Sequence, residues 1–318
     1  MNNLDKKDLG ILRELDFDAR MSISSLAKKV RVSKEVANYR LKKLIDQKII
    51  EGFVPVIDPF AFGYQMYGLH LRLRNANSEI RKELRDWVQA QGNAFRLLTL
   101  GGAWHYFISF FAKDPLDFNN MYETLVAKFA SHIQKKSVSI IVEMEQWPYN
   151  LLYTNPVPKH IKIGEIGSVK LDETDKQLLD LLSRNARASL VELGQKMKLT
   201  ANAVKYRIKA LEQKKVIKGY RMILDHEYFK LSRYSVTLRL SDMAKRKEVM
   251  GLLSARKEVL YTFKLIGGGD VRFEMLCESP IRLYALIDEI NALRPGIVAD
   301  FDDRVIQKEE VFDYYPNN

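Results

Sequence analysis

The sequence predicts an α+β chain of two tandem units. Each unit is three short helices and a brief extended segment, followed by a β-α-β-β-α-β array. Three observations predict this. Residues 4–58 align with residues 171–225 without a gap and with eighteen identities, among them Leu12/Leu179, Arg20/Arg187, Tyr39/Tyr206, Arg40/Arg207 and Gly52/Gly219. Such an internal repeat has to be recognised before any fold is assigned. Downstream of each copy, the hydrophobic period switches between 2 and 3.6 in the same order. Finally, 318 residues at 47% hydrophobic composition are enough for more than one folded core.

Each copy opens with an amphipathic helix, Lys6 to Leu15 or Thr174 to Leu182. A second helix starts at Ser22 or Ser189, and Ser189 with Glu192 has the spacing of a capping box. The third helix begins at a hydroxyl cap, Ser33 or Thr200. Apolar residues at i, i+4 and i+7 give it one dry stripe: Ala37, Leu41 and Leu44, or Val204, Ile208 and Leu211. The other face of the first copy carries Glu35, Asn38, Tyr39, Arg40, Lys42, Lys43 and Asp46; that of the second carries Asn202, Lys205, Tyr206, Arg207, Lys209 and Gln213. Three helices with a tight turn before the third make a helix-turn-helix, and amides, aromatics and cations on the third suit the DNA major groove. Gly52 and Gly219 end the helical part and lead into extended segments at 53–57 and 220–224, a winged arrangement.

In the first array, strands are expected at 67–73, 95–100, 104–112 and 138–144, with helices at 78–91 and 116–129. In the second they are expected at 234–240, 259–266, 271–277 and 298–305, with helices at 245–255 and 281–293. This order is ferredoxin-like, an antiparallel sheet with helices on one face. The expected division is a helix-turn-helix domain at 1–58, a ferredoxin-like domain at 59–153, a linker at 154–170 rich in Pro and Gly, a second helix-turn-helix at 171–225 and a second ferredoxin-like domain at 226–318.

The net charge of +11 favours a polyanionic partner, here double-stranded DNA. The cations are unequally placed: residues 201–221 hold seven against one acid, residues 34–54 five against three. Since duplex affinity follows the number of phosphates neutralised, the second head is expected to bind more strongly. Tyr39/Tyr206 and Arg40/Arg207 are expected to hold the backbone of the duplex. One cysteine, Cys277, no membrane-length apolar run and no signal-peptide order in MNNLDKKDLG lead to the expectation of a cytoplasmic protein without membrane contact. His70, His105, His132, His160 and His226 show no metal-ligand spacing, and no P-loop or G-x-S-x-G is present. The expectation is a chain that is not an enzyme, with no catalytic residues, metal or cofactor.

The opening L-D-x-x-D (Leu4, Asp5, Asp8; Leu171, Asp172, Asp175), the D/N-A-R triplets (Asp18 to Arg20; Asn185 to Arg187) and Y-R-[LI]-K ahead of I-x-G-[FY] resemble the Lrp/AsnC family of feast/famine transcriptional regulators. The resemblance covers nearly the whole chain. It implies a DNA-binding regulator whose βαββαβ domains pair subunits and often bind an amino acid at a G-x-x-D turn. Two units on one chain imply a self-contained pseudo-dimer, or a higher oligomer of it. At that turn the second copy has Gly267, Gly268, Gly269 and Asp270, whereas the first has Gly101-Gly102-Ala103-Trp104. The same glycines also suit a plain hairpin turn. Lys48 and Lys215 stand where the family usually has glycine after the third helix. Two other functions are compatible with the resemblance: a siroheme decarboxylase-like enzyme, for which His70 and His105 lie in the corresponding half, and an architectural protein that coats DNA.

Overall fold

The structure, a computed structural model, describes residues 4–157 and 159–316. The first head consists of α1 (Lys6–Phe17), α2 (Ile23–Val30), α3 (Lys34–Asp46) and the wing strand β1 (Ile50–Ile57). The array that follows is β2 (Gln65–Leu73), α4 (Ser78–Ala90), β3 (Ala94–Gly101), β4 (Tyr106–Ala112), α5 (Pro115–Lys128) and β5 (Ile133–Gln146). After a short β6 (Ile161–Ile163), the second head repeats the order as α6 (Glu173–Arg184), α7 (Leu190–Met197), α8 (Ala201–Gln213) and β7 (Ile217–Leu224). The second array is β8 (Ser232–Leu240), α9 (Arg246–Ser254), β9 (Val259–Ile266), β10 (Val271–Cys277), α10 (Pro280–Leu293) and β11 (Val298–Phe312). Each unit is thus a winged helix-turn-helix followed by a ferredoxin-like βαββαβ array.

The strand order β5-β2-β4-β3 in one array and β11-β8-β10-β9 in the other is the same permutation. The two sheets then join at both edges, β3 to β11 and β5 to β9, so eight strands close into an antiparallel barrel. Closure leaves none of the eight strands with an open edge within the barrel. It also explains why the last strand of each array outruns its expected length. β5 extends to Gln146 and β11 to Phe312, and these extensions pair with the other half: Gln146 with Tyr261, Phe312 with Arg96. The alternating pattern was legible only where a strand has a helix-covered face, and the extensions have none.

Two apolar layers cover the outside of the barrel. Tyr67, Leu69, Leu71, Ile108 and Phe110 pack under α4 and α5, and Val236, Leu238, Phe273 and Met275 under α9 and α10. The interior is different. Arg96, Arg233, Arg272, Arg304 and Glu274 are all buried. Arg96 on β3 and Arg233 on β8 both bond Glu274 on β10, at 2.8 and 2.5 Å, so the pairing crosses between the two halves. Glu309 on β11 accepts from the same two arginines, at 2.5 and 2.8 Å. Arg272 lies 4.0 Å from the ring centroids of both Phe107 and Phe263, one from each half, a cation between two π faces.

The segment expected to be a free linker is strapped down. β6 pairs with the end of β5, and Gly167 and Val169 donate their backbone N–H groups to the carbonyls of Phe60 and Ala61. A Cβ on Gly167 would come within 2.7 Å of the Ala61 oxygen, so the approach itself selects glycine. The expected capping box at Ser189–Glu192 is only half formed. Ser189 accepts from the Glu192 N–H at 3.1 Å, but the Glu192 carboxylate turns to Lys196 at 2.9 Å. The complete box belongs to Asp5 and Asp8 at the start of α1. No helix among the described residues is long and apolar enough to cross a membrane.

Candidate nucleic-acid interface

The third helices, α3 and α8, form as the apolar spacing dictates. Ser33 accepts from the Val36 N–H at 3.2 Å and Thr200 from the Ala203 N–H at 3.1 Å, fixing each first turn. Ala37, Leu41 and Leu44, and Val204, Ile208 and Leu211, are buried against the other head helices. The opposite faces are open: Glu35, Asn38, Lys42, Lys43, Asn202, Lys205, Lys209 and Gln213 are all exposed. Tyr39 and Tyr206 are 69% and 76% exposed, large values for aromatic side chains.

Two expectations about these helices need correction. Arg40 and Arg207 do not stand free for phosphate. Arg40 bonds Asp5 and Asp8 at 2.7 and 2.8 Å, and Arg207 bonds Asp172 and Asp175 at 2.8 and 2.7 Å. The hydrogen bond from the Asp8 backbone N–H, with Arg40 beside it, holds the Asp5 carboxyl below its usual range; Asp175 and Arg207 do the same for Asp172. The L-D-x-x-D and Y-R motifs are therefore two ends of one staple, which sets the angle of the third helix against the first. The charge inequality also shrinks. Arg221 is buried against Asp16 at 2.6 Å, and Lys218 is held by Asp58 at 3.2 Å. Within residues 34–54 and 201–221 that leaves four exposed lysines on each side, Lys34, Lys42, Lys43 and Lys48 against Lys205, Lys209, Lys214 and Lys215. The difference in these segments now lies in the acids: Glu35, Asp46 and Glu51 are exposed in 34–54, whereas 201–221 holds Glu212, which accepts from Tyr220 at 2.8 Å. Glu35 is partly engaged too, since its own backbone N–H and the Ser33 hydroxyl hold its carboxyl down.

Lys48 and Lys215 adopt φ of 56° and 57°, the left-handed turn that glycine usually fills. Their backbone N–H groups close the helix ends on Ile45 and Glu212. Both ends thus keep the glycine geometry while presenting a cation.

The structure also joins the two heads in a way the repeat did not reveal. β1 and β7 pair antiparallel, Val54 opposite Arg221, so the two wings form one small sheet. Arg20 donates to the Ala186 carbonyl, and Arg187 donates to the Ala19 carbonyl in return. Arg187 also lies over the Phe53 ring and Arg20 over the Tyr220 ring, at 5.2 and 5.9 Å. The D/N-A-R triplets are therefore reciprocal locks between the heads. The repeated Ala-Arg pair was the available signal, although no spacing argument could say that each arginine reaches the other copy.

At the turn between β9 and β10 of the second array, Asp270 Oδ2 accepts from the Leu240 N–H at 2.7 Å. A Cβ on Gly269 would fall 2.2 Å from Thr237 Cγ2, and Gly267, Gly268 and Gly269 all have positive φ. These glycines meet the demands of the turn itself, and one carboxylate oxygen of Asp270 is spent on β8. In the first array, Trp104 donates its indole N–H to Asp302 of the other half at 3.1 Å. His70 is buried beside Phe107 and Trp104, at 4.7 and 5.5 Å, and burial with Arg304 and Arg272 nearby keeps it neutral. His105 is half-buried and accepts from the Leu73 N–H through Nδ1.

Comparison with known proteins agrees with this architecture. An AsnC-type helix-turn-helix domain matches residues 171–212, and a winged helix-turn-helix DNA-binding domain matches residues 4–51. An uncharacterized HTH-type transcriptional regulator of Pyrococcus furiosus is 48% identical over 58 residues, 18% of this chain and 37% of its own length. The match spans a similar 38% of its counterparts in Pyrococcus horikoshii and Pyrococcus abyssi. The proline dehydrogenase transcriptional activator of Rhizobium radiobacter is 31% identical over 108 residues, 34% of this chain and 69% of the activator. Over the whole length, the crystal structure of the siroheme decarboxylase NirDL superimposes with a TM-score of 0.66 at 10% identity, covering 97% of this chain and 93% of that one. This likeness shows the fold alone, but it corrects the expectation of a chain that is not an enzyme: the two-unit architecture is one that an enzyme has. The matched helix-turn-helix domains and the similarity to regulators establish that the chain belongs to the Lrp/AsnC family.

Proposed function

We propose that this protein is a sequence-specific DNA-binding transcriptional regulator built from two fused units. The observation that carries the reading is the pair of exposed third-helix faces, dry behind and rich in amides, tyrosine and lysine in front, held on two interlocked heads. In this reading Glu35, Asn38, Lys42 and Lys43, and Asn202, Lys205, Lys209 and Gln213, meet base edges or phosphates. Tyr39 and Tyr206 bear on the duplex backbone, while Arg40 and Arg207 position their helices. The heads comprise residues 1–58 and 171–225, the ferredoxin-like domains 59–153 and 226–318, and a strapped connection 154–170. A small effector such as an amino acid, bound at Gly267 to Asp270, is part of the same reading, as are a cytoplasmic location and further self-association.

Selection of bound sites from random duplex DNA, followed by footprinting, tests the proposal. A bounded site with two half-sites is expected. Uniform protection would instead make the protein an architectural coat, and no duplex binding at moderate salt would refute both.

A second reading is favoured by the whole-chain likeness to NirDL together with the buried, neutral His70 inside the barrel. It is a siroheme decarboxylase-like activity. Incubation with siroheme must then shift the Soret band, and an unchanged spectrum removes this reading.

A further inference from the structure

The two halves of the barrel repeat each other strand for strand, but they differ at one edge. β5 leaves β2 after Ile141, and the edge it vacates is taken by β6, with Met144 opposite Ile163 and Gln146 opposite Ile161. β11 leaves β8 after Ile306 and runs on to Phe312, yet among the described residues no strand lies along the edge it vacates. Gln307 and Lys308 are exposed there. Residues 307–312 offer about 20 Å of strand that is open on that side, a ready template for a further strand. Beside it, between the barrel and the wing sheet, opens a cavity of about 650 Å³, lined among others by Gln307, Lys308, Glu51, Val54, Asp225 and Glu227. In the other half β6 fills the corresponding space. Ile161 and Ile163 are buried, and a Cβ on Gly219 of β7 would come within 2.9 Å of Ile161 Cδ1.

The charges around the two places are reversed. At the filled one, Asp58 pairs with Lys218 at 3.2 Å, and Glu165, just beyond β6, lies 3.7 Å from the same lysine. Their counterparts in the repeat are Asp225 and Glu51, so an acid stands where the cation was. Burial, and repulsion from Asp225, Glu309 and Glu227, push the Glu51 carboxyl up, with Lys48 offsetting part of the effect. Glu309 is held by Arg96 and Arg233, and Lys308 by Glu310 at 2.6 Å. The balance around Glu51 is therefore Lys48 against three carboxylates, Glu51, Asp225 and Glu227.

We propose that the edge of β11 at 307–312 binds an extended segment of a partner protein by strand addition. The segment has apolar residues at alternate positions, as Ile161 and Ile163 are placed in β6, then a glycine and then a base where the chain's own strap has Glu165. Main-chain bonds give such a contact its affinity and alternate side chains its specificity. The glycine follows from the template: Gly164 has φ of 131°, and a Cβ on it would meet the Val142 oxygen at 2.7 Å. Val142 sits at a register shift of β5, and β11 has the matching shift at Glu310. The base stands among Glu51, Asp225 and Glu227 as Glu165 stands beside Lys218.

The test uses the full chain without DNA, so its outcome is independent of the regulator reading. Two end-blocked peptides are titrated by calorimetry up to about 5 mM: Ile-Lys-Ile-Gly-Lys, and Ile-Lys-Ile-Gly-Glu, the chain's own residues 161–165. One equivalent of the first is expected to bind, at least about fivefold more tightly than the second. Hydrogen exchange of the 307–312 amides should slow on binding, and the first peptide N-methylated at alternate residues should not bind. Glu51→Lys should reverse the preference between the peptides, and Glu227→Lys should narrow it. Both positions are exposed, and the unfolding midpoints of the variants control for folding. No binding of the first peptide, unchanged exchange at 307–312, or a preference that both variants leave intact overturns the proposal. Equal or stronger binding of the second peptide also overturns it, and would make the occupant the strap of a second copy.

Discussion

Glu274→Gln is expected to be the most damaging isosteric change in the barrel. The carboxylate is fully buried and shared by Arg96 and Arg233, at 2.8 and 2.5 Å, one from each half of the molecule. Burial alone would raise its pKa; attraction from Arg96, Arg233 and Arg272 outweighs that and brings it from 4.5 down to about 2. At about 1.4 kcal/mol per unit, this drop corresponds to roughly 3 kcal/mol in favour of the folded state at neutral pH. A folded pKa below the unfolded one gives stability that is present above about pH 4.5 and is lost as pH falls toward 2. Removing the charge leaves two buried guanidinium groups with Glu309 alone, a change expected to cost about 3–5 kcal/mol. The assay is urea unfolding at pH 7, 5, 4 and 3. The wild type should lose stability on acidification in excess of the variant, and at pH 7 the variant should be weaker by the amount above. A loss under about 1 kcal/mol, or parallel pH profiles, would refute the inference that this pair holds the halves together.

Three further outcomes are expected. Lys48→Gly with Lys215→Gly should raise or preserve thermal stability, because each left-handed residue costs about 1–2 kcal/mol that glycine avoids against a smaller entropic loss; duplex affinity should nevertheless fall, read by a binding titration. Lys205→Ala with Lys209→Ala should lower the slope of log affinity against log salt by about 2, whereas Arg207→Ala should weaken binding with the slope nearly unchanged, since that arginine is paired to Asp172 and Asp175. Gly269→Ala should destabilise by about 3 kcal/mol in denaturant unfolding, because a Cβ there meets Thr237 at 2.2 Å on a backbone with φ of 144°.

The parts of the structure legible in the sequence are those with a periodic dry face. Ala37, Leu41 and Leu44, with their counterparts in the second head, fixed α3 and α8, and the alternation in 67–73 and 234–240 fixed β2 and β8. The polar barrel interior was not legible, because Arg272 or Glu274 in an alternating strand reads as an outward residue until a second sheet covers it. Counting charges failed at Arg221 and Lys218 for a related reason: their partners, Asp16 and Asp58, both lie in the other copy. A residue count sees a cation, while only the fold shows whether it is already neutralised. The locking roles of Arg20 and Arg187 depend on contacts between residues 166 and 168 apart, which no local pattern records.

The paired wings and reciprocal arginines have a consequence for how such a protein would respond to its own abundance. Two heads on one covalent chain cannot separate on dilution, so occupancy of a two-part DNA site rises with the first power of protein concentration, where a dissociating dimer would follow the square. The same fusion releases the two heads from identity. A symmetric pair reads a palindrome and has no front or back, whereas Glu35 opposite Asn202 and Asn38 opposite Lys205 make the two ends of this molecule chemically distinct. Bound to a site with two different halves, it would lie in one orientation only and so mark a direction along the DNA.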